Sequence, residues 1–279
     1  MADRLEALLD RFSVHASLFH SGRLCGVQNI PAGEGVGQLH LVKSGRLKVR
    51  HSGLADLEIH EPSLLLYPRA LSRQFIADET NPAELVCADL HFDGGISNPL
   101  ADALPAVTCL PLSSLFGTDA LLALLFEEAF DQRCGRQALI NRLFEAVLIQ
   151  VVRYLMETDQ VDSGMLAGMA HPKLRHALIA MHENPAHAWA LESLAEQSRM
   201  SRSVFANTFK AVVGVTMGAY LQGWRIRLAQ QSLRRGRSLA VVAAEVGYSG
   251  EAALSRAFKS QCGVSPRHWL SSLAPASLV

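Results

Sequence analysis

No apolar run in this chain of 279 residues is long enough to cross a bilayer; the longest, near Leu121 to Phe126, stops at Glu127. There is no Cys-x-x-Cys pair, no phosphate-binding glycine loop, no nucleophile motif and no closely spaced His-x-His. Those absences speak against an enzyme. Cysteine is scarce and odd in number: Cys25, Cys87, Cys109, Cys134 and Cys262. The first residues carry charge at Asp3, Arg4 and Glu6 where a signal peptide would be basic and then apolar. The expectation is a cytoplasmic chain without structural disulfides and without a membrane partner.

Net charge is also missing, but the balance is made of two unequal halves. Lys+Arg and Asp+Glu number 26 each; from His171 onward there are 13 basic and 5 acidic residues, leaving 13 and 21 before it. Length alone predicts more than one core. The charge split adds that the C-terminal part suits phosphate.

That part repeats itself. Adding 49 to a position pairs Ala195 with Ala244, Phe209 with Phe258, Lys210 with Lys259, Gly214 with Gly263, Val215 with Val264 and Leu221 with Leu270. Phe205 and Leu254, Thr216 and Ser265, and Tyr220 and Trp269 keep the chemistry without identity. Two copies are too few for a solenoid and suit a pair of similar reading heads. Each copy reads as helix, tight turn, helix. The first helices are expected over Trp189 to Gln197 and Leu239 to Val246, with turns at Ser198-Arg199-Met200 and Gly247-Tyr248-Ser249. Gly247 suits a positive φ, whereas Ser198 departs from that pattern. Ser201 and Ser249 are the expected N-caps of the second helices.

On those second helices Phe205, Phe209 and Val212 share one stripe, as do Leu254 and Phe258. Ser203, Asn207 and Lys210 fall on another face, matched by Ala252, Arg256 and Lys259. Asn and Arg bond bidentately to purine edges in the major groove, and a Lys one turn on suits a phosphate. An apolar-periodic helix from Thr216 to Arg235 joins the copies. At about 1.5 Å per residue it spans roughly 30 Å, close to the ~34 Å between successive major-groove faces.

Residues His171 to Leu270 resemble the DNA-binding domain of the AraC/XylS family of bacterial transcription regulators, most closely in GYSGEAALSRAFKSQCGVSPRHW. The resemblance implies base-reading residues on the second helix of each unit: Arg202, Ser203, Ala206 and Asn207, then Glu251, Ala252, Ser255 and Arg256. Ala206 and Ala252 reach no further than a thymine methyl. Double-stranded DNA is the implied partner, with RNA polymerase a further one.

From about Val27 to Phe92 the text is strand-like: LHLV, RLKVRH, LEIH, SLLLYP and ELVCADLHF. Helices follow over 115–130 and 137–157. On the second, Ile140, Phe144, Val147, Val151 and Leu155 form a stripe that either covers the strands or pairs with a second subunit, a homodimer being expected. FHSGRLCG, LHLVKSGRLKV, LLLYPR and CADLHFDGG resemble the cupin-type sensor domain of many AraC-family regulators. An α+β chain follows: a cupin-like barrel or sandwich over 1–110, a helical linker or dimerisation segment over 111–168, and an all-α domain over 169–279 with two helix-turn-helix units joined by a long helix.

Three uses of the sensor stand open. A metal would have only His40, His91 and Cys87 as a cluster, where a complete site needs three or four ligands converging on one point; no metal and no cofactor is expected, and a cupin metalloenzyme is disfavoured. An oxidant could act through Cys25, close in sequence to Arg23 and His20, and Cys87, although Cys87 sits in an apolar strand. A small-molecule effector, anionic if Arg69 and Arg73 face it, could enter the barrel.

Overall fold

The computed structural model describes residues 3–31, 35–131, 133–158 and 160–273. Helix α1 (Glu6–Arg11) is followed by β1 (Val14–Leu24), β2 (Gly26–Ile30), β3 (Gly37–Ser44), β4 (Leu47–His51), β5 (Leu57–Ile59), β6 (Ser63–Tyr67), β7 (Arg73–Ala77) and β8 (Ala83–Phe92). Helix α2 (Pro99–Ala103), β9 (Thr108–Pro111), α3 (Asp119–Phe130) and α4 (Arg136–Glu157) complete the first half. The remainder is helical: α5 (Met165–Ala170), α6 (Leu174–Glu183), α7 (Leu191–Gln197), α8 (Arg202–Val213), α9 (Met217–Arg234), α10 (Leu239–Glu245), α11 (Glu251–Cys262) and α12 (Pro266–Leu273). Two compact units result. One runs from Ser13 to Gln160; the other joins the segment ending at Phe12 to the described residues from Val161 onward.

In the unit from Ser13 to Gln160, antiparallel strands form a five-stranded sheet ordered β1-β8-β3-β6-β9 and a four-stranded sheet ordered β2-β7-β4-β5. Their facing residues, among them Leu47, Val49, Leu65, Tyr67, Phe75, Leu85 and Cys87, make one core. The smaller sheet shows its other face to water: on β4 Leu47 and Val49 are buried while Arg50 is exposed. All five residues of β6 are buried, because the larger sheet is covered on both faces.

Strand β1 is an edge, and α4 closes it. Asn141 Oδ1 accepts from the Leu18 N–H at 3.0 Å, Glu145 Oε1 from Ala16 at 3.2 Å, and Gln137 Nε2 donates to the Leu18 carbonyl at 3.3 Å. The edge therefore offers these groups to no further strand. The stripe of Ile140, Phe144, Val147, Val151 and Leu155 is buried inside its own unit, so of its two possible uses the fold takes the covering one.

The other unit differs from the sequence expectation in four places. The last residues of the stretch 111–168, read as a linker or dimerisation segment, already belong to this unit and begin α5, whose Met165, Leu166 and Met169 are buried. Gly168 is needed there, since a Cβ would meet Leu178 at 2.5 Å and Val213 at 2.9 Å. The residues before Ser13, read as part of the barrel, pack here instead: Leu8 is buried, Phe12 meets Trp224, Gln231 donates to the Arg11 carbonyl, and Arg11 donates to the Glu183 carbonyl at 3.2 Å. Val213, not Val212, completes the stripe with Phe205 and Phe209.

The fourth difference concerns the repeat. Met200 N–H donates to Ala195 at 2.9 Å and Tyr248 N–H to Ala243 at 2.8 Å, an offset of 48, and the left-handed turn residues are Arg199 (φ 51°) and Gly247 (φ 80°). Ala195 therefore corresponds to Ala243 and not to Ala244. Past the turn the offset of 49 holds. Gly214 (φ 84°) and Gly263 (φ 77°) cap the second helices, and Tyr220 and Trp269 stand edge-on to Phe209 and Phe258 at 5.7 and 5.5 Å. The second turn is one residue longer, and this displaces its expected cap. Ser201 Oγ accepts from Val204 N–H at 3.4 Å, whereas Gly250 occupies the corresponding place before α11 and Ser249 caps nothing.

Candidate nucleic-acid interface and sensor cavity

Helices α8 and α11 bury their aromatic stripes and turn the predicted reading residues outward. Arg202, Ser203, Asn207 and Lys210 are exposed on α8, and Glu251, Ala252, Arg256 and Lys259 on α11; Ala206 and Ser255 are half-buried. Arg202 is engaged by Glu192 at 2.9 Å. Among the described residues Lys210, Arg256 and Lys259 make no ion pair or hydrogen bond, so their donors are free for a ligand. Val204 escaped the sequence reading. It lies off the buried stripe, is 51% exposed in the first turn of α8, and presents methyl groups beside Ser203.

The scaffold behind these faces is a capped helix packed through a stacked aromatic cluster. Thr216 Oγ1 accepts from Ala219 N–H at 3.3 Å to start α9, and its 18 residues span about 27 Å. His182 stacks on Trp224 with ring centroids 3.9 Å apart and bonds Tyr220 Oη at 2.6 Å. Burial pulls its pKa down to about 3. Cys262 is half-buried under Gln230, whose Nε2 donates to Sγ at 3.4 Å.

In the sheet unit, Arg73 carries the unusual chemistry. It is 6% exposed, on an inward-facing position of β7, with its guanidinium 3.9 Å from the Tyr67 ring centroid. Nη1 donates to the Leu71 carbonyl at 2.9 Å, and Nη2 to Gln38 Oε1 and to His40 Nε2, the latter at 2.6 Å. Nε has no partner, and among the described residues no carboxylate pairs with this cation. Burial lowers its pKa to about 10. A cavity of about 250 Å³ opens beside it, lined by Gln38, Tyr67, Arg69, Arg73 and Asp89. The two predicted effector arginines are thus brought together, but Arg69 is occupied by the Ala101 and Leu104 carbonyls.

Metal candidates fare differently. Because a guanidinium can only donate, His40 Nε2 must accept, which fixes the ring neutral with its proton on buried Nδ1. Burial, then Arg73, hold the His40 pKa well below the ordinary histidine range. Cys87 lies opposite His40 in the sheet, but His91 is four residues further along β8, about 13 Å away, and exposed. Among the described residues no group of three or more His, Cys, Asp or Glu is arranged to hold a metal.

The two redox candidates are set apart as well. Cys87 pairs with His20 across β1 and β8, while Cys25 lies beyond Leu24, the partner of Ala83. That register separates the two cysteines by roughly 16 Å along the strands, where a disulfide needs Cα atoms within about 7 Å. Cys25 is exposed; Cys87 is buried, and burial pushes its thiol pKa far up.

Residues 3–157 match a family described as Cupin, and residues 194–272 one described as a helix-turn-helix domain. An AraC-like transcription regulator of Streptomyces lividans is 37% identical over 297 residues, covering 95% of this chain and 96% of that one. The chain belongs to the AraC-like transcription regulators. The transcriptional regulator AlkR of Acinetobacter baylyi is 38% identical over 64% of this AraC-like chain, and the RCS-specific transcriptional activator RclR of Escherichia coli is 34% identical over 54%. The matches span 60% of AlkR and 55% of RclR. The resemblances to an AraC-type DNA-binding domain and to a cupin sensor are both upheld by these matches.

Proposed function

We propose that this AraC-like protein is a sequence-specific DNA-binding regulator that lays α8 and α11 into successive major-groove faces on one side of a duplex. The observation that carries the reading is the pair of outward faces bearing unengaged Lys210, Arg256 and Lys259, held by a helix whose length suits one turn of DNA. Asn207 and Arg256 read bases, Lys210 and Lys259 neutralise phosphates, and Val204 and Ala252 touch thymine methyls. Since the two faces differ, the site is asymmetric within one chain. Selection of duplexes from a random pool, followed by affinity measurement at fixed salt, tests this. An enriched bipartite motif supports it, and recovery of unrelated sequences contradicts it.

The cupin domain supplies the signal, and a small anion is the effector its cavity favours. A buried guanidinium without a carboxylate partner is costly unless something pairs with it. A second reading, oxidant sensing, is supported by the likeness to RclR and by the exposure of Cys25. In this arrangement it would run through Cys25 without Cys87, which is both remote and buried. The regulator works in the cytoplasm, with RNA polymerase as the partner that DNA binding brings within reach. A homodimer would use surface other than the α4 stripe; Phe116, 90% exposed, and Leu124 and Leu139 on α3 and α4 offer apolar contacts.

A further inference from the structure

Arg225 on α9 bonds to both reading heads at once. Its Nε donates to the Pro185 carbonyl at 2.7 Å and Nη2 to the His187 carbonyl at 2.8 Å, both in the loop that leads into α7. Its Nη1 reaches the Gly247 carbonyl at 3.4 Å, in the turn between α10 and α11. The guanidinium also lies 5.8 Å from the ring of Tyr248, the next residue of that turn.

A second observation places the same two segments in contact. A Cβ at residue 247 would come within 2.6 Å of the Ala186 Cα and carbonyl oxygen, and Gly247 has φ 80°. The turn of the second head therefore abuts the loop entering the first, and the backbone there admits no side chain. Arg225 holds three carbonyls of this junction in one rigid fork. A lysine ammonium at the end of a flexible stem cannot take up that geometry.

We propose that Arg225 is a positioning residue that fixes the angle and distance between α8 and α11, and through them the spacing of half-sites the protein accepts. The proposal rests on the DNA-reading function above. When two contacts share one scaffold, the second is made at an effective concentration that depends on alignment. Holding the heads in place beforehand removes an ordering cost that binding would otherwise bear. One inserted base pair turns the second half-site by about 35° and moves it about 3.4 Å, so a rigid pair of heads must lose contacts that a loose pair would recover.

The test uses the full chain and two variants that attack the junction from opposite sides. Arg225→Lys keeps the charge and loses the fork; Gly247→Ala drives a methyl into Ala186. Each is first checked for cooperative melting, so that misfolding of one leaves the other to decide. Affinity is measured for the selected duplex, for the same duplex with one base pair inserted between half-sites, and for random duplex. Spin labels on non-natural residues at Glu196 and Gln261, both exposed, report the distance between heads by double electron–electron resonance.

The expected result is a narrow distance distribution in the unsubstituted protein and a loss of about tenfold or more on the inserted site. Either variant should broaden the distribution, weaken the selected site about tenfold, shrink the insertion penalty to about twofold, and leave random duplex unchanged. An Arg225→Lys protein with the narrow distribution and the full insertion penalty overturns the proposal. Failure of the DNA-reading function itself shows differently: the unsubstituted protein would bind all three duplexes equally. That removes the half-site claim, while the label distances still report whether the arginine holds the heads.

Discussion

Phe12 stands edge-on against Trp224, ring centroids 5.3 Å apart, and so ties the segment before the first strand to the helix that joins the two reading heads. Both rings are at least 98% buried. Phe12→Ala should therefore destabilise the DNA-binding unit, by about 3–5 kcal/mol, rather than the sheet unit that follows it in sequence. Trp189, Trp224 and Trp269 all lie in the helical unit, so denaturant melts followed by tryptophan fluorescence read that unit directly. An unchanged midpoint would show that the contact carries no stability.

His182 gives the same unit a pH dependence. Its ordinary pKa of 6.5 falls to about 3 in the folded chain, chiefly through burial. Between those values the unfolded chain binds a proton that the folded chain refuses, so stability is lost as pH falls below about 6.5. The slope should be about 1.4 kcal/mol per pH unit from this group. His182→Gln should remove that slope, as melts between pH 7 and pH 4 would reveal.

Arg73→Met addresses the sensor. Removing a buried cation that lacks a carboxylate should leave the sheet unit as stable as before or more so in the absence of ligand. Small carboxylates, sulfonates and phosphates, screened by thermal melting, should then fail to stabilise the variant. A true effector at a hundred times its Kd stabilises the unsubstituted protein by about 2.7 kcal/mol.

Thiol labelling separates the two redox candidates. Cys25 should react within seconds to minutes in the native protein, along with exposed Cys134, while Cys109 lags because burial raises its thiol pKa and Cys87 reacts only when the sheet unit opens. Mass mapping of the labelled peptides reads this out. Fast native labelling of Cys87 would contradict the burial on which the argument against a Cys25 to Cys87 disulfide partly rests.

Much of this arrangement is legible in the letters, and what is hidden has physical causes. The aromatic stripe Phe205 and Phe209 recurs in Leu254 and Phe258 because each helix must bury one face, so periodicity and repeat reinforce each other. The one-residue difference between the turns is silent in that pattern. It shows only in which residue takes positive φ, and Arg199 gives no sign of doing so. Strand β7 was missed because its inward positions begin with Arg73, which reads as a surface residue until Tyr67 and His40 are seen around it. The packing of α1 on α6 and α9 is a contact across nearly the whole chain, which local pattern does not encode. Arg225 was passed over for the same reason: on the sequence it is one charge in a basic helix, and its acceptors are backbone carbonyls.

Whether α8 and α11 read DNA bases is decided by titrating the full-length protein on a selected duplex and on random duplex across a range of salt, with Asn207→Ala and Arg256→Ala beside the unsubstituted protein. If they do, all three proteins weaken log-linearly with salt, and each variant loses about 1–3 kcal/mol on the selected duplex only. Equal losses on selected and random duplexes would reduce both residues to phosphate contacts and contradict base reading.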